Sequence, residues 1–147
     1  AGIPVVAHIG LTPQSVNQLG GFKVQGKEMA AAQQLIDDAK ALEEAGAFAC
    51  VLECVPAALA TKVTQSLKNM VTIGIGAGNG CDGQVLVCND LLGVSNGFTP
   101  KFVKKYANLH DITIDAVKSY IADVKSREFP AEEHTFKIDD SVLEKLY

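Results

Sequence analysis

The chain has 147 residues, a length that suits one ordinary domain. Hydrophobic residues make up 48% of it and charged residues 20%, which excludes global disorder and leaves enough apolar side chains for a core. The net charge is −4 at pH 7 and no basic run occurs, which argues against nucleic-acid binding. Its apolar stretches, such as residues 45–51, are too short to span a membrane.

Apolar residues follow two periodicities along the chain. Short continuous runs of β-branched and aliphatic residues are typical of parallel strands covered on both faces. Apolar residues spaced three and four apart are typical of amphipathic helices. In chain order, these patterns predict a strand at 3–9, a helix at 28–45, a strand at 48–55, a helix beginning at Pro56, strands at 70–75 and 84–89, a helix beginning at Thr99–Pro100, a helix at 111–126 and a last helical turn from Asp140.

The alternation of strands and helices predicts an α/β fold with a parallel sheet. A closed (β/α) barrel has eight strands and about 250 residues, so four strands correspond to half of one. A small open doubly wound sheet is the alternative that a chain of this length accommodates. In both architectures, active sites lie at the carboxyl ends of the strands.

Two polar residues lie near such strand ends. Glu53 lies close to the end of the second predicted strand, and His8 has the matching place in the first. A partly desolvated carboxylate there is a candidate general base. The structural alternatives are a Glu53 that pairs with a lysine or caps a helix, and a His8 that is hydrogen-bonded in the core. The aperiodic residues 10–27, which follow the first strand, form a loop of a length that is often functional.

Residues 74–80 are rich in glycine, but they do not fit a dinucleotide-binding motif because the third glycine is misplaced and a strand follows directly. We expect these glycines to let the backbone approach a ligand or a neighbouring strand closely. Asn89–Asp90 are predicted to cap or turn, with polar site groups as the alternative. The four cysteines form no metal-binding pattern and are expected to be ordinary thiols in a reducing compartment.

Several segments, taken together and in order, resemble the ketopantoate hydroxymethyltransferase family. The resemblance covers nearly the whole chain up to Phe136, which predicts a domain over residues 1–136 and a separate tail over 137–147. The matching segments are residues 8–15, 20–26, 52–56, 73–79, 82–87, 90–93, 100–102, 129–130 and 132–134.

This resemblance implies a TIM-type (β/α) barrel of which the chain supplies strands five to eight. It also implies transfer of a hydroxymethyl group from 5,10-methylenetetrahydrofolate to 3-methyl-2-oxobutanoate, giving 2-dehydropantoate in pantothenate biosynthesis. By the same resemblance, Glu53 is the catalytic base, His8 binds the 2-oxo acid and Mg²⁺ assists. A cytoplasmic homo-oligomer is expected, without nucleic-acid or membrane partners.

Two departures from the family qualify these expectations. The family's metal carboxylates belong to its first four strands, so no metal ligand is expected in this chain, and the ligands are expected upstream of Ala1. The isolated chain is therefore expected to be inactive without the N-terminal half of the barrel. Asn89 stands where the family commonly has a histidine, although an amide can still donate and accept hydrogen bonds.

Two other functions remain compatible with the residues. One is another metal-dependent lyase or aldolase that acts on 2-oxo acids on a related barrel. The other is a non-catalytic half-barrel that serves in assembly. The sequence of the N-terminal half would distinguish the three, because metal carboxylates at its strand ends would favour the transferase.

Overall fold

The computed structural model describes residues 2–146. A four-stranded parallel sheet lies at its centre, and its strands are adjacent in chain order. This arrangement confirms the predicted α/β class. The strands are β1 (Val6–Gly10), β2 (Ala49–Glu53), β3 (Val71–Ile75) and β4 (Gly83–Gln84).

Helices connect and follow these strands. The predicted helices at 28–45 and 111–126 are confirmed, as are the helix after Pro56 and the final turn from Asp140. Short 3-10 turns lie at Pro13–Ser15 and Glu132–His134. The helices are α1 (Met29–Glu44), α2 (Ala57–Ser66), α3 (Cys88–Leu91), α4 (Leu109–Ser126) and α5 (Asp140–Leu143).

The core lies between one face of the sheet and the helices α1 and α2. Since successive strand side chains point to opposite faces, the aligned residues of neighbouring strands share a face. Ala7, Cys50 and Thr72 are aligned in this way and are buried on the helix-covered face. Both crossover helices therefore pack on the same side of the sheet. The other residues of this core include Ile9, Leu52, Leu35, Ala39, Ala60 and Val63.

The opposite face of the sheet is less well covered. His8, Val51 and Ile73 are aligned on it and are only partly buried, and Val6 and Val71 are about half exposed. An apolar strand face that stays open to water forgoes the free energy that its burial would contribute. This second face also carries the candidate site.

The predicted strand at 84–89 is largely wrong. Strand β4 has only two residues, and the ladder to β3 ends with the bond from Val85 N–H to the Gly74 carbonyl. The chain then turns into α3, where the Leu91 N–H bonds to the Val87 carbonyl. A strand with one neighbour leaves half of its backbone groups unpaired, and a helical turn satisfies them locally. Asn89 and Asp90 lie within α3, close to the cap or turn that was predicted for them.

The helix predicted from Thr99–Pro100 is also absent. Residues 100–103 form a single turn, in which the Val103 N–H bonds to the Pro100 carbonyl. Tyr106 instead donates its N–H to the Leu91 carbonyl over 2.8 Å. Backbone hydrogen bonds therefore hold the segment against α3. In a helix, the same N–H groups would instead bond to carbonyls within the segment.

The C-terminal part of the chain is packed more loosely than the sheet. None of the residues of α4 is buried, although its apolar side chains follow the predicted helical spacing. Beyond α4, the Phe129 ring packs against the rings of Tyr120 and His134, and the Phe129–Pro130 bond is cis. The domain boundary at residue 136 stays a prediction.

Candidate active site

His8 and Glu53 meet on the less covered face of the sheet, at the carboxyl ends of β1 and β2. Their side chains converge because Glu53 is aligned with Gly10, two residues beyond His8, and both residues point to the same face. The distance from His8 Nε2 to Glu53 Oε2 is 3.1 Å, and the side chains are 32% and 17% exposed. The structure thus brings together the two residues that the sequence analysis selected.

The two side chains are close, but the contact between them does not have the geometry of a hydrogen bond. His8 Nε2 is buried and makes no hydrogen bond of good geometry with the residues that the structure describes. Polar atoms that are buried without a partner are costly, and they are most often explained by a function or a bound molecule. This imidazole nitrogen therefore has hydrogen-bonding capacity that a ligand beside Glu53 could use.

The backbone around Glu53 is held on three sides. The Glu53 carbonyl accepts from the Leu11 N–H, and the following residue, Cys54, donates to the Ile75 carbonyl and accepts from the Gln25 N–H. These bonds hold Cys54 at φ 50, a left-handed conformation that is uncommon outside glycine. Such a constraint beside a carboxylate fixes the direction in which the carboxylate points.

Gly10 is required where β1 ends beside Glu53. Its φ is +89, and a Cβ at this position would lie 2.3 Å from the Glu53 carbonyl oxygen. Any other residue would have to push the two strand ends apart. The close approach of β1 to β2, which brings His8 to Glu53, therefore depends on this glycine.

The loop over residues 10–27 returns to the same edge of the sheet. After the turn Pro13–Ser15, it reaches β2 through the bond from Gln25 N–H to the Cys54 carbonyl over 2.9 Å. Phe22 within this loop is 79% exposed. The loop thus reaches the strand end next to Glu53, as its position after β1 predicts.

The cysteine next to the site is a poor nucleophile. Burial raises the pKa of the Cys54 thiol, and the negative charge of Glu53 raises it further. Burial likewise raises the pKa of Cys50 to about 11. All four cysteines are free thiols, as predicted. Since the thiolate is the reactive form, the raised pKa values leave Cys54 and Cys50 as weakly reactive thiols.

The glycine-rich segment lies at the end of β3. No helix follows it before β4, so the geometry of a dinucleotide-binding turn does not occur in residues 74–84. Gly76 has φ +63, and a Cβ there would lie 2.9 Å from the Phe102 ring. A close approach does occur at Gly76, but its neighbour is an aromatic side chain and not the predicted ligand or neighbouring strand.

Two features of this region were missed in the sequence. Lys101 and Phe102 reach the ends of β2 and β3, where they line a cavity with Cys54 and Gly76. The prediction of a helix over these residues hid this arrangement, although residues 100–102 belong to the matching segments. The second feature is a pair of hydrogen bonds in which the carboxylate of the exposed Asp82 accepts from the N–H and the hydroxyl of the buried Thr72.

The described residues do not provide a metal site. No group of three or more His, Cys, Asp or Glu side chains within residues 2–146 is arranged to hold a metal ion. Within the same residues, none of the helices has the length and apolar character needed to cross a membrane.

Comparisons with known proteins agree on one family. The sequence profile of ketopantoate hydroxymethyltransferase matches residues 1–132. The chain is 60% identical over all 147 residues to the 3-methyl-2-oxobutanoate hydroxymethyltransferase of Clostridium novyi, of which it covers 53%. It is 63% identical over 147 residues to the enzyme of that name from Enterococcus faecalis, again covering 53%, and 65% identical over 136 residues to that of Syntrophus aciditrophicus, covering 50%. The chain spans about half the length of these curated relatives, and it belongs to the ketopantoate hydroxymethyltransferase family.

Proposed function

We propose that the complete protein transfers a hydroxymethyl group from 5,10-methylenetetrahydrofolate to 3-methyl-2-oxobutanoate, giving 2-dehydropantoate. Family membership supports the reaction class. The observation that carries the proposal is the 3.1 Å contact between His8 and Glu53 at the carboxyl edge of the sheet. A carboxylate and an imidazole held together at this edge suit proton abstraction next to a carbonyl.

In this proposal Glu53 is the general base. Its carboxylate takes the proton from C3 of the 2-oxo acid, and the electron pair of the C3–H bond passes into the 2-oxo group as an enolate. Its position at the carboxyl edge of the sheet, 3.1 Å from the His8 imidazole, favours this role. The bonds that hold Cys54 keep the carboxylate in place during the transfer.

The remaining bonds then balance without oxidation or reduction. The enolate carbon forms a C–C bond to the methylene carbon of the donor, whose two C–N bonds break. One water supplies the hydroxyl group of the product and one proton for a nitrogen of the donor. The proton held by Glu53 goes to the other nitrogen. Both nitrogens of the donor thus leave protonated, as tetrahydrofolate.

His8 is proposed to bind the 2-oxo acid. Its Nε2 lies beside Glu53 and makes no aligned hydrogen bond within the described chain. An imidazole N–H there can donate to an oxygen of the substrate and orient C3 toward the carboxylate. A hydrogen bond of this kind from a positioned side chain typically contributes about 1 kcal/mol or more to binding.

The second half of the barrel is proposed to complete the site. Relatives are about twice as long as this chain, and both crossover helices lie on one face of the sheet, as in the wall of a (β/α) barrel. We propose that the N-terminal half closes an eight-stranded barrel over the face that carries His8 and supplies the Mg²⁺ ligands. The barrel then assembles into a homo-oligomer.

Reconstitution tests this function. This chain is mixed with the N-terminal half of the Clostridium novyi relative, and 2-dehydropantoate is measured with both substrates and Mg²⁺ present. The proposal predicts product that depends on both halves and on Glu53, with Glu44→Gln, at an exposed position on α1, as the matched control. Product from other aldehydes but not from the folate donor would instead indicate a lyase or aldolase. A folded complex without either activity would indicate an assembly module.

A further inference from the structure

Residues 12–24 form a loop whose two ends are bonded to successive residues at the end of β2. Before the loop, the Leu11 N–H donates to the Glu53 carbonyl over 2.8 Å. After it, the Gln25 N–H donates to the Cys54 carbonyl over 2.9 Å. The two ends therefore lie close together although a long segment separates them. A compact surface loop with closed ends is an Ω-loop, a class of loop that is frequently functional.

Both ends of this Ω-loop are fixed in the body of the molecule. Leu11 is buried in the core region, with 3% exposure. Gly26 lies against α1 and α2, where a Cβ would come within 2.6 Å of the Leu35 side chain and 2.7 Å of the Leu59 side chain. These contacts leave no room for the base of the Ω-loop to shift.

The body of the Ω-loop is held much more weakly than its base. None of residues 12–24 is buried. The backbone hydrogen bonds of the body, such as that from the Gly21 N–H to the Val16 carbonyl, join residues within the loop itself. Segments with few buried contacts open and close at a low cost in free energy. The body is therefore able to move as a unit about its fixed base.

The Ω-loop carries a large aromatic side chain, that of Phe22, which is 79% exposed. Phe22 lies three residues before Gln25, so its Cα stays within about 11 Å of the Gln25 Cα in any conformation of the chain between them. Val24, which lies between these two residues, lines the cavity that Cys54 borders. Phe22 is thus tethered within reach of the strand end that carries Glu53.

We infer that the Ω-loop is a lid that closes over His8 and Glu53 when the 2-oxo acid binds, with Phe22 as its apolar cover. The inference rests on the proposed function, in which an enolate forms at C3. Water that reaches this carbon returns a proton to it and regenerates the 2-oxo acid, and active-site lids exclude water from such intermediates. The isopropyl group of the bound acid gives the Phe22 ring an apolar surface that the empty site lacks, so binding favours the closed state.

Closure is tested with a fluorescent reporter on the lid. The chain contains no tryptophan, so Phe22→Trp introduces a single one into it. Quenching of the added emission by acrylamide is measured in the reconstituted enzyme with and without saturating 3-methyl-2-oxobutanoate. The lid predicts strong quenching in the empty enzyme and a lower quenching constant with the 2-oxo acid. Phe98→Trp, at another exposed position outside the loop, should be quenched alike in both states.

Two results of the quenching experiment would overturn the lid. Weak quenching of the Phe22→Trp enzyme without the 2-oxo acid would show a permanent contact with the other half of the barrel. Equal, strong quenching in both states, with calorimetry showing that the acid binds, would show a loop that does not close. Absence of both acid binding and C3 exchange in the unmodified enzyme would overturn the proposed function together with the lid.

Phe22→Ala tests what closure does for the reaction. Exchange of the C3 proton for deuterium and formation of 2-dehydropantoate are measured in parallel with both substrates present. We expect the ratio of exchange to product to rise about tenfold, the effect of losing about half the burial of one aromatic side chain from the closed state. Phe98→Ala should leave the ratio unchanged. An unchanged ratio in Phe22→Ala would overturn the lid, because a merely structural role alters both rates together.

Discussion

Helices α1 and α4 have similar lengths and similar apolar stripes, but the molecule uses them differently. α1 has 16 residues and buries Leu35 and Ala39 against the sheet. α4 has 18 residues and buries none, and Ile114, Val117 and Ile121 on its apolar side are 42–49% exposed. The stripe of α1 has its partner surface within this chain. The stripe of α4 stays partly exposed among the residues that the structure describes.

The sheet shows the same contrast between its two faces. The face under α1 and α2 contains the core, whereas the face with His8 and Glu53 remains partly open. The open face and the stripe of α4 are the two apolar surfaces that the described residues leave partly exposed. The candidate site lies on the less covered face of the sheet.

Closure of the barrel is expected to have the largest effect on activity. The purified chain alone should show no measurable hydroxymethyl transfer, and adding the N-terminal half of a relative should restore it. The physical reason is that the isolated chain lacks the proposed cover over the face that carries Glu53 and lacks the proposed metal carboxylates. Turnover of the isolated chain at a rate near that of a full-length relative would contradict the account.

Truncation of an apolar side chain should have unequal effects in the two regions. Leu52→Ala, in the buried core, should lower the free energy of unfolding by about 2–5 kcal/mol, because it removes burial and leaves a cavity. Val117→Ala, on the open side of α4, should change it by less than about 0.5 kcal/mol in the isolated chain. Urea unfolding followed by circular dichroism measures both, and equal losses would remove the distinction between the regions.

His8→Ala should impair binding of the 2-oxo acid more than folding. In the reconstituted enzyme we expect KM for the 2-oxo acid to rise about tenfold, the effect of one lost hydrogen bond to a charged substrate. The melting temperature should change little, because His8 is partly exposed and makes no aligned hydrogen bond. His110→Ala, outside the sheet, is the matched control. A collapsed melting temperature with normal kinetics would make His8 a structural residue.

Acid should weaken a group of hydrogen bonds at the end of the sheet opposite to the candidate site. The Glu43 carboxylate accepts the backbone N–H groups of residues 68–70, and these bonds hold its pKa below the usual 4.5. A lowered folded pKa means that the stabilisation is complete above pH 4.5 and is lost as the pH falls through the lower value. Glu43→Gln should therefore be less stable than the unmodified chain at pH 7, with a smaller difference near pH 3. Urea midpoints at the two values measure this, and a constant difference would contradict it.

The sequence predicted those parts of the molecule whose partners are close in the chain or that follow a clear period. Strands β1 to β3 and helices α1, α2 and α4 have such periods. The strand predicted at 84–89 was too long. Its apolar residues do not show that, in the described sheet, β3 is its one neighbouring strand. The segment around Tyr106 was misread as a helix because its backbone bond goes to Leu91, which no local pattern reveals.

The same distinction holds for the candidate site, where residues on strands were predicted and residues in an irregular segment were not. His8 and Glu53 were found because parallel strands bring their carboxyl ends to one edge, so that position along each strand suffices. Lys101 and Phe102 were not found, because their approach to Gly76 is made by an irregular segment. Asn89 lies at an exposed position in α3.

The most direct test of the account concerns the base. Glu53→Gln keeps the shape of the side chain and removes the basicity of the carboxylate, so it separates catalysis from packing. In the reconstituted enzyme with Mg²⁺ and no folate donor, deuterium exchange at C3 of 3-methyl-2-oxobutanoate is followed by NMR. We predict a rate lower by about 10²- to 10⁴-fold, the usual contribution of a positioned general base, with Glu44→Gln unchanged. Exchange at the unmodified rate in Glu53→Gln would show that Glu53 is not the base.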